Sequence, residues 1–409
     1  MASEGRIITD LCQLNPADWA QLDHGDSPFL ALPFLMAMQE SGSADGATGW
    51  QAFHLAIFED DQLVAFAPSY LKTHSHGEFV FDWSWADAYQ RHGLPYYPKL
   101  LTAVPYSPIT GPRLLVRRSH AQPLQLRRQL TELALQQCRL LQLSSWHCNF
   151  VTSDDLPALQ EKAQCEVAEG RLLARNDWQF HWHNQDFTSF EEFLATLRSK
   201  KRKNMLRDRR LVRDAGISFR RLSGTELGDE QLEFIFACYQ RTFLLHGNHP
   251  ALNREFFARL LQHMPEAVMV VIASREEHPI AMSFFLQGGR RLYGRYWGCL
   301  EDLPGLHFET AYHQGIEHCI ETGLRVFEPG AQGEHKISRG FSPVRTRSFH
   351  HICDPRFSEA IERYLQKEAE WISEYGQRLQ DHLPFRQEDR ISLELQLAPM
   401  AADSNGDEL

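Results

Sequence analysis

Paired cysteines are missing from this chain. Cys12, Cys138, Cys148, Cys165, Cys238, Cys299, Cys319 and Cys353 are scattered, and none stands in a C-x-x-C pair. In a chain of 409 residues this pattern predicts reduced, mostly buried thiols in a cytoplasmic protein rather than a disulfide framework. A long apolar run is also missing: no stretch reaches the ~18 uninterrupted residues that a bilayer span needs, so no membrane span is expected. The first residues, MASEGRIITDLCQLNPADWAQLDHG, contain no basic region followed by an apolar one, so no signal peptide is expected. Net positive charge is absent as well. The balance is −11, which excludes a general nucleic-acid coating protein.

What is present is ample core material, with 43% apolar residues and 11% aromatics. This is a globular composition, and the length suggests two domains of ordinary size. Charge is unevenly placed. Residues 198–213 hold nine basic side chains and one acid, Asp208, a local +8 on an otherwise acidic chain. Such a stripe is a candidate phosphate contact. Like charges at helical spacing repel by a few tenths of a kcal/mol per pair, a cost that a polyanionic partner would offset. Lys200, Lys201, Arg202, Lys203, Asn204 and Arg207 are therefore expected to bind substrate.

Two stretches share one design. FHLAIFEDDQLVAFAPSYL (53–71) and VMVVIASREEHPIAMSFFL (268–286) each read as apolar run, acidic turn, apolar run. Each predicts a β-hairpin. Each is followed by an aromatic strand (77–85 and 290–298), then a helix (123–141 and 307–322), then another strand (145–151 and 325–328). The pattern predicts an internal duplication of one α/β unit with a mostly antiparallel sheet. A helix is expected from Phe190 onward, continuing through the basic run to Gly216. An amphipathic helix is expected over 357–379, and a mobile polar tail over 401–409.

Residues 292–341 concentrate the chemistry. Tyr293, Arg295, Tyr296 and Trp297 lie in a strand with Gly294 and Gly298, where glycines mark close approach of a ligand or of other backbone. Alternation puts Tyr293, Arg295 and Trp297 on one face and Tyr296 on the other. His307 and Glu309 open the next helix, whose N-terminus can bind an anion. Its apolar stripe leaves His313 and His318 to solvent. Glu309, His313 and Glu317 have i,i+4 spacing, but no further ligands accompany them and no metal is expected. In EPGAQGEHKISR (328–339), Glu328 can accept a proton from an attacking amine, and Glu334 and His335 can share a proton or orient one another. Lys336 and Arg339 can neutralise a phosphate or a developing oxyanion. Glu328, Glu334, His335 and Lys336 are the candidate catalytic residues, and Gln332 and Arg339 candidate binding residues. His246, Asn248 and His249 form a rigid turn after a helix and join the binding set, against the plainer account of helix capping. Arg113, beside Gly111, can meet a substrate anion.

SKKRKNMLRDRRLVRDAG, FLLHGNHPALNREFF, LYGRYWG, LHFETAYHQGIEHCIETG and EPGAQGEHKISRGF, in this order, resemble the FemAB-like family of peptidoglycan biosynthesis/recognition proteins, within the GNAT-fold acyltransferase superfamily. The resemblance covers residues 20–380. It implies an α/β (α+β) fold of two tandem GNAT-like units with mixed, mostly antiparallel sheets, joined by a basic helix. The units are expected over 1–189 and 190–353, followed by a C-terminal amphipathic helix and tail over 354–409. The implied reaction moves an aminoacyl group from aminoacyl-tRNA to an amine of a muropeptide. No tightly bound cofactor is implied, only an acyl donor as co-substrate. One departure weighs against an acyl-CoA donor: the Gln/Arg-x-x-Gly-x-Gly/Ala phosphate cradle of acetyl-CoA enzymes is replaced here by LEDLPGLHFE (300–309). Three readings stay open. They are an aminoacyl-tRNA-dependent N-acyltransferase, an acyl-CoA-dependent one, and a non-catalytic module that recognises an anionic glycopeptide or nucleic acid.

Overall fold

The computed structural model describes residues 3–166, 170–330 and 333–386. Both predicted hairpins form. In the first, His54–Glu59 pairs with Gln62–Ala67; in the second, Val268–Arg275 pairs with His278–Gly288. Their turns are alike in detail. Asp60 and Asp61 have φ of 47° and 60°, and Glu276 and Glu277 have φ of 48° and 67°. Left-handed backbone at both central residues is the geometry that matches strand twist in a two-residue hairpin. Each hairpin also carries one register shift, between Ile57 and Phe58 and between Ala273 and Ser274.

The duplication extends to a parallel pair in each half. Lys99–Thr102 lies parallel to Ser145–Cys148, with the helix Pro123–Leu140 between them in sequence. Arg291–Cys299 lies parallel to Val326–Glu328, with the central helix 306–322 between them. Parallel neighbours need such a crossover.

The halves then interleave. A four-stranded sheet joins Ser3–Ile8, His54–Glu59, Gln62–Ala67 and Leu115–Val116. An eleven-stranded sheet runs through both halves. At its middle, the junction strand Leu173–His183 pairs with Val326–Glu328 on one side and with Ser342–Ile352 on the other. Ser342–Ile352 in turn pairs with Ser145–Cys148. Each half thus lends a strand to the other. Side chains close the same seam: Phe29 packs edge-on against Tyr293 at 5.1 Å between ring centroids, and Phe34 against Phe256 at 5.7 Å. The strap helix Pro355–Asp381 crosses the seam from outside. Its Phe357 stacks on Tyr89 of the first half at 4.0 Å, and its Leu379 joins the core around Phe327 and Phe341.

Several local expectations are corrected. Residues 77–82 are not a strand, and Trp83–Arg91 is a helix. Lys99, which is fully buried, binds both Glu78 and Asp82 and bends the segment inward. The run from Phe190 is two helices, Phe190–Thr196 and the basic helix Ser199–Asp214. Leu197 and Arg198 are extended because Leu197 is buried and the Arg198 amide donates to the Pro384 carbonyl. His313 is buried, not solvated, and His318 is half-buried with Nε2 bonded to Gln287. The faces of Arg291–Cys299 switch at a bulge, because Phe284 pairs with Tyr296 while Phe285 pairs with Gly294. Arg295 is the extra residue, so Tyr293 and Tyr296 share one core and Trp297 packs into another. Arg113 is fully buried and donates to the carbonyls of Asn149 and Ile109, so it meets no substrate anion. The tail 401–409 lies outside the described residues.

Gly298 accounts for one close approach. A Cβ there would collide with the carbonyl of Cys238 on the helix Asp229–Leu245, whereas a Cβ at Gly46 meets nothing within 4 Å. Gly298→Ala is expected to destabilise the fold by about 1–3 kcal/mol, with Gly46→Ala within about 0.5 kcal/mol of the parent. Urea denaturation followed by circular dichroism measures both.

Candidate active site

The strand Val326–Glu328 ends against Pro329, which has no N–H for the ladder. The chain reverses through Gly330 and Gly333, at φ of 97° and 116°, into the closing turn Glu334–Arg339, a 3-10 helix. Three residues per turn send consecutive side chains about 120° apart. Glu334 accepts a hydrogen bond from Tyr375 on the strap helix. The Nε2 of His335 lies 3.0 Å from the Tyr312 hydroxyl on the central helix. Lys336 points inward, and its Nζ donates to the Gly330 carbonyl at 2.7 Å. Glu334 and His335 therefore do not share a proton. Gln332 lies outside the described residues.

Lys336 is buried, and no carboxylate lies within ion-pair distance of it among the described residues. Burial alone pushes its ammonium down to about 7. Glu328 is also buried but serves the seam. One oxygen accepts from Arg291 at 2.7 Å, and the other lies 3.7 Å from His181 Nε2 without a hydrogen bond. Burial raises the Glu328 carboxyl, against the pull of Arg291. Burial also pushes His181 down to about 3 and His183 down to about 4, so both are neutral and the Glu328–His181 contact is not an ion pair.

Two cavities meet at the closing turn, and Glu334 and Tyr375 belong to both. The first, about 280 Å³, is bounded by Lys201, Ile337, Ser338, Arg378 and His382. The second, about 200 Å³, reaches Phe79, Phe81, Trp178, Gln179 and Gly333. Gln179 links the second cavity to the interior, because its Oε1 lies 3.3 Å from His181 Nε2.

The basic helix docks on the central helix by one face. Arg209 pairs with Glu309 at 3.2 Å and Glu317 at 2.6 Å, and Asp208 pairs with Arg339 at 3.2 Å. Glu309 is fully committed, since it also accepts from Gln314 and lies 2.8 Å from His313 Nδ1. It heads a π-helical segment, Glu309–His313, a distortion that recurs at functional sites. The first turn of the helix is unpaired: Lys200, Lys201, Arg202 and Lys203 have no carboxylate partner among the described residues. Lys200, Lys203, Asn204 and Arg207 are exposed, and Lys201 and Arg202 half-buried.

The remaining predicted residues divide into two groups. His307 lies with Trp297, Phe308 and Tyr312 beside His335, where burial and the neighbouring cations push it down to about 4. Arg339 lies over the Phe308 ring. Tyr293 and Arg295 hold the seam; Arg295 donates to the Tyr106 carbonyl at 2.6 Å. Tyr296 is packed between Tyr239 and Phe257. His246, Asn248 and His249 are exposed at a helix end, where His246 Nδ1 is bonded to the Thr242 carbonyl as a cap. Sequence reasoning missed Phe79, Phe81, Trp178, Tyr375 and Arg378, which line the cavities from distant parts of the chain.

A family model for FemAB-like proteins, described as peptidoglycan biosynthesis/recognition, matches residues 10–387. The chain belongs to the FemAB-like family. Among solved structures, FemX matches 88% of this chain and 100% of its own at 11% identity, with a TM-score of 0.50. L-PGS from Bacillus licheniformis matches 86% and 98% at 9% identity, with a TM-score of 0.47. A tandem GNAT protein from the clavulanic acid biosynthesis pathway matches 87% and 99% at 10% identity, with a TM-score of 0.40. No curated protein matches the sequence. At 11% identity the likeness to FemX concerns the fold alone. This FemAB-like protein is an acyl or aminoacyl transferase. No helix of the described residues is long and apolar enough to cross a membrane.

The buried Lys336 gives a signed pH dependence. Its folded pKa of about 7 lies below the ordinary 10.5, so between these values the unfolded chain binds more protons. Stability contributed at this position therefore rises with pH from about 7 to 10.5 and is lowest below 7. Lys336→Met is expected to remove that slope and to stabilise the protein at pH 6 by about 1 kcal/mol or more. Denaturant titrations at a series of pH values measure it; an unchanged slope contradicts a buried, unpaired ammonium.

Proposed function

We propose that this FemAB-like protein is an N-acyltransferase that moves an aminoacyl group from aminoacyl-tRNA to an amine acceptor of the peptidoglycan-precursor class. The observation that carries the donor is the basic helix. Its Asp208 and Arg209 are tied to Arg339, Glu309 and Glu317, while Lys200, Arg202 and Lys203 pair with no carboxylate among the described residues and Lys201 stands on the wall of the first cavity. A stripe of uncompensated cations leading to a cavity suits a phosphate backbone whose acylated end enters that cavity.

Glu334, at the boundary of the two cavities, is the base that takes the proton of the attacking amine. The amine nitrogen forms a bond to the ester carbonyl carbon, and the carbonyl oxygen becomes an oxyanion. Lys336, when protonated, stabilises that charge, and burial makes its interaction stronger than it would be in water. The carbon–oxygen bond then breaks, and the released ribose hydroxyl takes up the proton held by Glu334. Glu328, His181 and Arg291 position the strand from which the closing turn springs.

Two measurements test this. Binding of charged tRNA to the parent protein is expected to weaken steeply with salt. The Lys200→Glu, Lys203→Glu, Arg207→Glu triple variant is expected to bind about 10- to 100-fold more weakly, with a log–log salt slope smaller by about 2. Lys336→Met is expected to lower the transfer rate about 10²- to 10³-fold while leaving tRNA binding unchanged. Tight acyl-CoA binding with little salt dependence, and none of tRNA, would overturn the donor assignment.

A further inference from the structure

All eight cysteines are free thiols, and two of them meet across the seam between the halves. Cys138 lies near the end of the helix Pro123–Leu140, buried in the core of the first half. Cys353 follows the strand Ser342–Ile352 and immediately precedes Asp354, the cap of the strap helix. Backbone bonds bring the two segments together. The Leu143 amide donates to the Cys138 carbonyl at 3.0 Å, and the Cys353 amide donates to the Ser144 carbonyl at 2.9 Å. Cys353 is half-buried and packs on the same core as Cys138, and the two thiols are in direct contact.

A histidine serves one of the pair. His351 stands two residues before Cys353, so strand alternation puts both side chains on one face. Phe349, on that face too, belongs to the same core. His351 is buried, and its Nδ1 lies 3.1 Å from the Arg171 carbonyl. A carbonyl only accepts, so Nδ1 carries the proton and Nε2 is left as the acceptor of the ring. This ring hydrogen-bonds to the Cys353 side chain, and Arg139 adds positive charge nearby. The contact with Cys138, together with His351 and Arg139, holds the Cys353 thiol below the ordinary range, against burial. Cys138 is pushed up, first by Cys353 and then by burial. Cys12 is pushed up by its hydrogen bond with Asp10, and Cys148, Cys238, Cys299 and Cys319 by burial.

We propose that Cys138 and Cys353 form an oxidation site, at which a peroxide makes one intramolecular disulfide between the helix of the first half and the foot of the strap helix. The thiolate is the reactive form of cysteine, and half-buried Cys353 is the thiol that a small oxidant can reach. His351 takes the Cys353 proton. The thiolate attacks one peroxide oxygen: the S–O bond forms, the O–O bond breaks, and the leaving hydroxide collects the proton from His351 as water. The Cys138 sulfur then attacks the sulfenic sulfur of Cys353. The S–S bond forms, the S–O bond breaks, and the displaced hydroxide takes the Cys138 proton as a second water. Two thiols and one hydrogen peroxide thus give one disulfide and two waters. The bond ties the seam covalently where the last strand of the second half turns into the strap helix. It requires neither acyl donor nor acceptor, so it stands apart from the transferase reading.

The test adds hydrogen peroxide stepwise to the full-length native protein, alkylates the remaining thiols and locates them by mass spectrometry of peptides. Cys12 is the internal control. It is exposed, but its Sγ lies 3.8 Å from the Glu40 carboxylate. Exposure alone would consume Cys12 first. The expected result is that Cys138 and Cys353 disappear together, about 10-fold faster than Cys12, and reappear as one linked peptide pair that dithiothreitol releases. The oxidised protein is expected to unfold at a higher urea concentration than the reduced one. Cys138→Ala is expected to leave Cys353 as a sulfenic acid that dimedone captures. His351→Gln is expected to slow oxidation about 5- to 10-fold and to move the pH midpoint of Cys353 alkylation upward. The parent protein alone decides the pairing, whether or not either variant folds. Earlier loss of Cys12, persistence of Cys138 and Cys353 after Cys12 is consumed, or a link to another cysteine or another chain would overturn the proposal.

Discussion

The pairing of Ser342–Ile352 with Leu173–His183 is the constraint on which the rest depends. It runs over nine residue pairs, from Ser342 opposite His181 to His350 opposite Leu173. Because the two strands come from different halves, this ladder fixes one half against the other in rotation and translation. Residues on the junction strand, Asp177, Trp178 and Gln179, form one wall of the second cavity. The closing turn immediately precedes Ser342 and forms the facing wall. A slip of one residue would reverse every side chain on the strand and dismantle both walls.

The polar groups near the seam have separate duties. Glu328, His181 and His183 hold the interior, with Arg291 closing on Glu328 from the surface, and burial keeps the imidazoles neutral. Lys336 differs because it has a carbonyl partner and, among the described residues, no anion within ion-pair distance. A buried ammonium without a counter-ion costs stability, and such groups gather where charge develops during reaction. The strap helix completes the arrangement. Trp178 donates its indole N–H to the Ile372 carbonyl, Gly376 makes room for its ring, and Tyr375 reaches Glu334.

Local pattern carried much of this into the sequence. The hairpins, the helix between each parallel pair, the strap helix and the polar closing turn are short-range features, legible from alternation, helical period and glycine placement. The surplus of cations on the basic helix was legible too, since nine cations in sixteen residues outnumber any local acid. What escaped is long-range. Nothing near Phe79 says that it meets Trp178, and the aromatic alternation of 77–85 resembles a strand until Lys99 draws Glu78 and Asp82 inward. Glu309 looked available because Arg209, a hundred residues earlier in the chain, is indistinguishable by sequence from its free neighbours. The bulge at Arg295 changed which faces Tyr296 and Trp297 share, because one inserted residue inverts the alternation that follows.

The central claim is that the cationic cavity beside the closing turn takes the acylated end of a tRNA. Photocrosslinking from a tRNA whose 3′-terminal adenosine carries a photoreactive group, with adducts located by mass spectrometry of peptides, tests it most directly. The account predicts adducts on the peptides holding Lys201, Ser338 and Arg378. Adducts confined to Phe79–Phe81 and Trp178, or to the opposite face of the protein, would contradict it.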